Sequence, residues 1–466
     1  MLHHLQQDVL IICLWLVILA GMVLRIHNGD YFPIYQNDDS PYYVWLGNSL
    51  YDSFRAPSSL TIFDQNNPTL FWRSQYRDFI PAERFGFRLS DRYFDHPFLA
   101  SLVIALPARY FGFTGFTQIP QMIVRLPALV TALITLCLTY LLAKQTFNET
   151  VGLLAITFLA FWPMAVFSQR QGYLENLITP ALLLGLILLR QMRFRVSRAK
   201  FMVLVGCGFW AAWTKFAGYV LFGIFIYFLN LSKQDKWAKL MLGAALGTLG
   251  LYLVYGVGIG GEHFWWTLSQ QSTRGAYLSS MFTFFSSPQV QGSLEDGWWY
   301  LGLSGMIYTV TKKDWQSQLI GWPALAWLIT AFFLAGPSNT SPWYIYPIYP
   351  LLMISTAVML TQCLKLFPLA GEMLLIMLGL TGWRLAGFEL PSSYLRLALT
   401  GWALINGLML FYPKIIKPIF GHRLIFSGLI VLAIIGNIFA IRRVPNRVCG
   451  VGGCTEPTKI ILPNSR

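Results

Sequence analysis

The run Val9-Leu10-Ile11-Ile12-Cys13-Leu14-Trp15-Leu16-Val17-Ile18-Leu19-Ala20-Gly21-Met22-Val23-Leu24, followed soon after by Asn37-Asp38-Asp39-Ser40-Pro41, decides how the rest of the chain is read. An apolar stretch of that length, with a weakly charged start and no cleavage-site pattern, is an uncleaved membrane anchor. Carboxylates at the edge of hydrocarbon are costly and mark function. The chain therefore opens with a span and places a pair of acids just beyond it.

Outward from that point, 55% of the residues are apolar and 12% charged, and stretches of spanning length recur to the end. The expected fold is all-α and polytopic. Further spans are predicted near 122–142, 150–167, 174–189, 201–214, 217–231, 239–258, 298–310, 318–335, 345–362, 368–387, 396–412 and 424–441, which with the first makes about 13. The organisation reads as an anchor (1–26), an extracytoplasmic loop (27–121), a core bundle (122–258), a second extracytoplasmic loop (259–297), carboxyl-terminal helices (298–441) and a short tail (442–466). The formal charge of +14 would suggest nucleic acid in a soluble domain. Here the basic residues fall between spans, where they orient helices, and no nucleic-acid site is read.

Phe98 to Phe111 is apolar but short and contains Pro107 and Arg109. It falls below the roughly 20 residues a crossing helix needs and is placed along the membrane surface. Leaving it out puts Arg190, Arg193, Arg195, Arg198 and Lys200 on the same side as Lys233, Lys236, Lys239, Lys312, Lys313, Lys414, Lys417 and Arg423. That side is expected to be cytoplasmic. The loop 27–121 then faces outward with Asp30, Asp38, Asp39, Asp52, Asp64, Asp78, Glu83, Asp91 and Asp95, nearly half of the chain's 20 acids. For most of these, solvation of the loop is reason enough.

Asp38 and Asp39 differ by position. They precede Tyr42-Tyr43-Val44-Trp45-Leu46, the predicted start of an interfacial helix capped by Asp39 or Ser40. A cap needs one short polar residue, so a doublet leaves one carboxylate to deprotonate a hydroxyl or amine, or to hold a metal. Mutual repulsion would raise one of the two pKa values, as a base working near neutral pH requires.

The first span, the acidic doublet, Phe94-Asp95-His96-Pro97-Phe98-Leu99 and Arg125-Leu126-Pro127-Ala128-Leu129 together resemble the polyprenyl-phosphate-sugar glycosyltransferases of the GT-C fold. Protein O-mannosyltransferases and the bacterial aminoarabinose transferases of lipid A are the relatives in question. Ser168-Gln169-Arg170-Gln171-Gly172-Tyr173-Leu174-Glu175 resembles that family's Arg-and-acid segment, Trp213-Thr214-Lys215 its Thr-Lys turn, and Trp343-Tyr344-Ile345-Tyr346-Pro347 its Tyr-Pro segment. The resemblance implies a bundle with juxtamembrane helices in the first external loop. It also implies transfer of a sugar from a polyprenyl-phosphate donor to an acceptor hydroxyl or amine, with inversion, on the outer face of a bacterial plasma membrane. By the same carry-over Asp38 is the base, with Asp39 as its companion where relatives more often have Glu. The His-Pro pair at His96-Pro97 is closer to the mannosyltransferases, since the aminoarabinose transferases carry a lysine before this proline.

Departing phosphate needs cations at the outer surface, a task suited to arginine. Arg170 is the first candidate. Arg125 is the second, with helix anchoring as the alternative, and Lys215 the third, as a substrate contact or an interfacial anchor. Asp95 and His96 are candidates for phosphate or metal, or form a plain turn. Tyr344 and Tyr346 enter as substrate contacts by the resemblance. Glu175 is the third candidate acid; five residues from Arg170, it lies roughly 140° away on an ideal helix and does not face it directly unless the segment begins as a turn, and the alternative to a substrate contact is an Arg–Glu pair that neutralises itself at the helix entrance. Glu262 and His263 in the second loop are kept as acceptor contacts. Cofactor need is limited to a divalent metal left open, and the acceptor, whether glycan, lipid or protein, is not legible.

No Walker loop, dinucleotide fingerprint, paired zinc histidines or Gly-x-Ser-x-Gly elbow occurs. Cys13, Cys137, Cys207 and Cys363 read as packing residues. Cys449 and Cys454 fall in a tail that span counting places outside, where a disulfide is permissible. Arg442, Arg443 and Arg447 pull the other way. Two rival readings are a lipid-linked sugar flippase or secondary transporter, which would line a central path with acids and show inverted repeats, and a noncatalytic subunit.

Overall fold

The computed structural model describes residues 2–30, 32–33, 40–53, 59–61, 88–90, 94, 96–113, 119–272, 296–335, 342–388, 400–404, 406 and 418–449. Helices are numbered in chain order. α1 (Leu2–Ile26) is followed by α2 (Ser40–Ser53), a short antiparallel pair β1 (Ser59–Thr61) and β2 (Arg88–Ser90), and α3 (Leu99–Tyr110). The core continues with α4 (Gln121–Thr146), α5 (Glu149–Phe161), α6 (Pro163–Ser168), α7 (Leu174–Met192), α8 (Arg198–Thr214), α9 (Val220–Leu231), α10 (Asp235–Gly260) and α11 (Glu262–Ser272). Then come α12 (Gly297–Thr311), α13 (Trp315–Ala335), α14 (Tyr349–Leu366), α15 (Pro368–Leu374), α16 (Thr381–Leu385) and α17 (Pro418–Cys449).

Six of these stretches meet the length and hydropathy of a membrane span on their own: Asp8–Ile26, Gln121–Thr146, Leu174–Met192, Asp235–Gly260, Trp343–Leu366 and Gly421–Asn446. The protein is an integral membrane protein of the all-helical class expected. α1 turns Ile12, Trp15, Leu16 and Leu19 outward, each more than half exposed. Such a stripe is stable in hydrocarbon rather than water.

Several elements depart from a plain span for visible reasons. The stretch predicted at 150–167 breaks at Trp162, where Pro163 takes the first position of α6 and cannot donate to the preceding turn. α15 and α16 are joined by a π-helical turn, Leu375–Gly379. Short 3₁₀ segments, Phe216–Tyr219 and Pro342–Ile348, precede α9 and α14. α5 starts where Asn148 accepts from the Val151 amide at 3.0 Å, a regular amino-terminal cap.

α3 is a 12-residue helix, about 18 Å long, packed on α2 and α4. Gly47 of α2 lies so close to the Ser101 carbonyl of α3 that a Cβ would collide with it. Glycine is what lets the two helices touch backbone to backbone. Gly218, after Lys215, similarly leaves no room between the 3₁₀ turn and Ala211.

Candidate functional site

The segment Ser168–Glu175 is a turn between α6 and α7 that lies wholly inside the protein. Asn176 holds it: its Nδ2 donates to the Ser168 carbonyl at 2.9 Å and to the Gln171 carbonyl at 2.7 Å. Buried turns are rare because their backbone groups need partners, and here the first turn of α7 supplies them. Tyr173 leaves the turn to stack on Trp343, centroids 4.8 Å apart and planes at 14°. Tyr346 donates its hydroxyl to Gln171 Oε1 at 3.4 Å.

Glu175, in the first turn of α7, accepts from Lys215 Nζ at 2.5 Å, with side chains 2% and 7% exposed respectively. Lys215 terminates α8 in extended conformation, which turns its side chain across to α7. Its ammonium also sits 4.2 Å from the centre of the Tyr344 ring, a geometry that stabilises a buried cation. The Tyr344 carbonyl accepts from Trp327 Nε1 at 2.7 Å, fixing the ring. Glu175, Lys215, Tyr344, Tyr346 and Gln171 thus meet at one end of the bundle. Lys215 has no acid close to it along the chain, and its partner lies 40 residues away. The segment from Arg170 to Glu175 begins as a turn and not as a helix, and Glu175 pairs with Lys215.

Arg170 and Arg125, expected at the phosphate, are found on backbone. Arg170 donates through Nη2 to the Leu24 carbonyl at 2.6 Å and through Nη1 to Phe32 at 3.3 Å. Arg125 donates to the carbonyls of Gly29 at 2.7 Å and Pro33 at 2.6 Å. Both are fully buried. A third arginine, Arg25, bonds Gln169 Oε1 at 2.8 Å and the carbonyls of Leu159 and Ala160, each at 3.0 Å. Sequence reasoning missed Arg25, because an arginine in the last turn of a span looks like any interfacial anchor.

Asp38, Asp39 and Asp95 lie outside the described residues. α2 begins at Ser40, immediately after the doublet. His96 faces Tyr43 of α2, ring centres 6.1 Å apart. Glu262 and His263 fall in α11, whose Phe264 packs on Phe94 at 5.5 Å and so closes that flank of the bundle.

Asp296 was not singled out. It is fully buried, accepts from Trp162 Nε1 at 2.7 Å, and caps α12 through the Trp298 amide at 3.0 Å. Burial pushes its pKa up to about 6, against the pull of its hydrogen bonds from Trp298, Trp162 and Met164. The signal available in sequence was Glu295-Asp296 before Gly297, a second acid doublet ahead of a helix. At the same end, the His27 pKa is lowered by burial first, then by Arg170 and Arg442, with Asp30 opposing. Arg442 therefore lies near the loop after α1, and α17 continues to Cys449, past the expected start of the tail at 442. Cys454 lies outside the described residues.

Among the described residues no group of three or more His, Cys, Asp or Glu side chains is placed to hold a metal. Below the Glu175–Lys215 pair runs an apolar groove of about 660 Å³, walled by Leu106, Leu126, Leu138, Leu177, Pro180 and Trp210 among others. From Leu126 to Leu138 it follows α4 for about 18 Å. Prolines 107, 127 and 180, with Gly206, keep its walls apart.

The described residues form a helical membrane bundle with a buried acid–lysine pair at one end. The profile of the family described as dolichyl-phosphate-mannose-protein mannosyltransferase matches residues 95–259. The fold is similar to ArnT from Cupriavidus metallidurans bound to undecaprenyl phosphate, with a TM-score of 0.51 and 16% identity over 91% of this chain and 76% of that one. ArnT in the apo state gives 0.50 and 16%, over 91% and 75%. A weaker likeness, TM-score 0.46 at 12% identity over 91% and 56%, is to the archaeal oligosaccharyltransferase AglB from Archaeoglobus fulgidus in complex with an inhibitory peptide and a dolichol-phosphate. No curated protein matches the sequence. The expected resemblance is thus found twice, in the fold over 91% of this chain and in the sequence from Asp95 to Ile259.

Proposed function

We propose that this protein transfers a sugar from a polyprenyl-phosphate donor to an acceptor hydroxyl or amine, with inversion, at the extracytoplasmic face of a bacterial plasma membrane. The observation that carries the reading is the buried Glu175–Lys215 pair under Tyr344, at the end of the bundle where α1 terminates. Lys215 is the cation for the donor phosphate, and Glu175 holds it in place until the phosphate arrives. The apolar groove beneath takes the first isoprene units of the donor, whose chain would otherwise sit in bulk lipid.

The acceptor attacks the anomeric carbon from the side opposite the phosphate. A new bond forms from acceptor oxygen or nitrogen to that carbon as the carbon–oxygen bond to phosphate breaks. The acceptor's proton passes to Asp38, and the polyprenyl phosphate departs with its added negative charge next to Lys215. Asp39 caps α2 or supports Asp38. Arg125, Arg170, Asp95, His96, Tyr344 and Tyr346 complete the assignment as groups that bind or shape the donor side. A divalent ion, if used, would bind at the doublet, and no step here is routed through it.

The transporter alternative calls for acids along a central path. The fully buried acids among the described residues are Glu175 and Asp296 at the site end and Glu372 toward the other end, with apolar core between them. That arrangement favours transfer. The test is sugar transfer from synthetic polyprenyl-phosphate donors by purified, detergent-solubilised protein, with and without chelator. Turnover of one donor class is expected. Binding of every donor with turnover of none would replace the transferase with a flippase or a noncatalytic subunit.

A further inference from the structure

Three arginines, each fully buried, converge on one short piece of backbone. Arg125 holds the Gly29 and Pro33 carbonyls, Arg170 holds those of Leu24 and Phe32, and Arg25 ties the end of α1 to α5 and to Gln169. These carbonyls have a common problem. Leu24 is in the last turn of α1, where carbonyls lack helical partners, and Phe32 and Pro33 are buried in the turn beyond it. In a membrane protein such groups must be satisfied internally. A guanidinium does this better than an ammonium, because its planar fork reaches two carbonyls at once, and its charge suits the negative end of the α1 dipole.

The piece so held, Leu24–Pro33, is the run-in to the acidic doublet. Asp38 is five residues from Pro33, at most about 18 Å along the chain. Asp39 directly precedes Ser40, the first residue of α2, and α2 is locked on α3 at Gly47. Both ends of the tether 34–39 are therefore fixed, one by arginines and the other by helix packing.

We infer that Arg125 and Arg170 are positioning residues: they act on the reaction through the backbone that carries Asp38, and not by holding phosphate. The inference rests on the glycosyltransferase reading above and assigns these two arginines a different task within it. Misplacement of a reacting group by about 1 Å can cost on the order of 100-fold in rate, so a staple of this kind is felt in turnover before it is felt in donor affinity.

The test uses the full chain with Arg125→Lys and Arg170→Lys, which keep the charge and lose the fork. Three quantities are read: the Kd for undecaprenyl phosphate, kcat and KM for transfer, and amide hydrogen exchange at His27, Gly29 and Phe32, whose N–H groups bond within the turn. Expected are a Kd and KM within about threefold of wild type, a kcat lower by roughly 10- to 100-fold, and faster exchange in the turn with α7 unchanged. A tenfold or larger loss of donor affinity with unchanged exchange would make the arginines phosphate ligands and overturn the inference. Should neither variant fold, wild type decides. Adding undecaprenyl phosphate leaves exchange in the turn unaltered if the arginines are staples, and speeds it if they leave the carbonyls for phosphate. Exchange that shifts in the variants while wild type transfers no sugar removes the transferase reading instead and leaves the staple as architecture.

Discussion

Glu175 and Glu372 are both carboxylates buried among helices, yet they are held in opposite ways. Glu175 meets a cation, Lys215, at 2.5 Å, and that cation also touches the Tyr344 ring. Glu372, within α15, accepts from Trp402 Nε1 at 2.8 Å, from Asn406 Nδ2 at 3.4 Å, and lies 2.8 Å from His422 Nδ1. The second is enclosed by partners from two segments and so draws α15, α17 and the stretch holding Trp402 and Asn406 together. The first holds a buried cationic side chain against an aromatic ring, at the end of the bundle where α1 terminates. A carboxylate ringed by donors is architecture; one that parks a lysine can hand it to an anion.

The largest break in that comparison is Lys215→Met. We expect transfer to fall on the order of 10²- to 10³-fold, the loss usual for removing one donor to a developing anion. Stability should fall by about 3–5 kcal/mol, because Glu175 is left buried without its partner. Pairing it with Glu175→Gln restores most of the stability and none of the transfer, measured by thermal unfolding and donor turnover. Recovery of both together would make the pair structural, like Glu372.

Glu372→Gln should do the reverse. Loss of a charge-assisted acceptor costs about 1–3 kcal/mol of stability, with transfer within about twofold of wild type, as distant sites act independently. Asp296 sharpens the contrast by titration. Its pKa is raised, so the folded state prefers the protonated form, and ionisation above the unfolded value works against folding. Relative to Asp296→Asn, wild type should lose stability as pH rises from about 4 to about 6 and stay level above that. A pH-independent difference in melting would contradict the assigned cause. The smallest effect is expected for Tyr346→Phe, which removes a 3.4 Å hydrogen bond to Gln171. Less than about 1 kcal/mol in stability should follow, read as a small shift in unfolding temperature.

What the sequence displayed and what it hid follow one division. Spans were legible because hydropathy is local: the predicted 174–189 and 201–214 are α7 and α8, extended by a few residues. The break at Trp162-Pro163 and the π turn after Leu374 were not, since a continuous apolar run carries no mark of where it bends. Site residues were legible as types at one face. Their partners were not, because Lys215 meets an acid 40 positions away and Arg125 a carbonyl 96 positions away. Charge spacing left an Arg170–Glu175 pair open, and the structure pairs Glu175 with Lys215 instead. The spacing carried no information about the backbone that Arg170 grips.

Asp38 carries the central claim, and the most direct test is single-turnover transfer from a synthetic polyprenyl-phosphate donor by wild type and by Asp38→Asn. The account predicts retained donor binding and a loss of transfer on the order of 10²- to 10⁴-fold in the variant, the contribution of a positioned base. Full transfer by Asp38→Asn would contradict it.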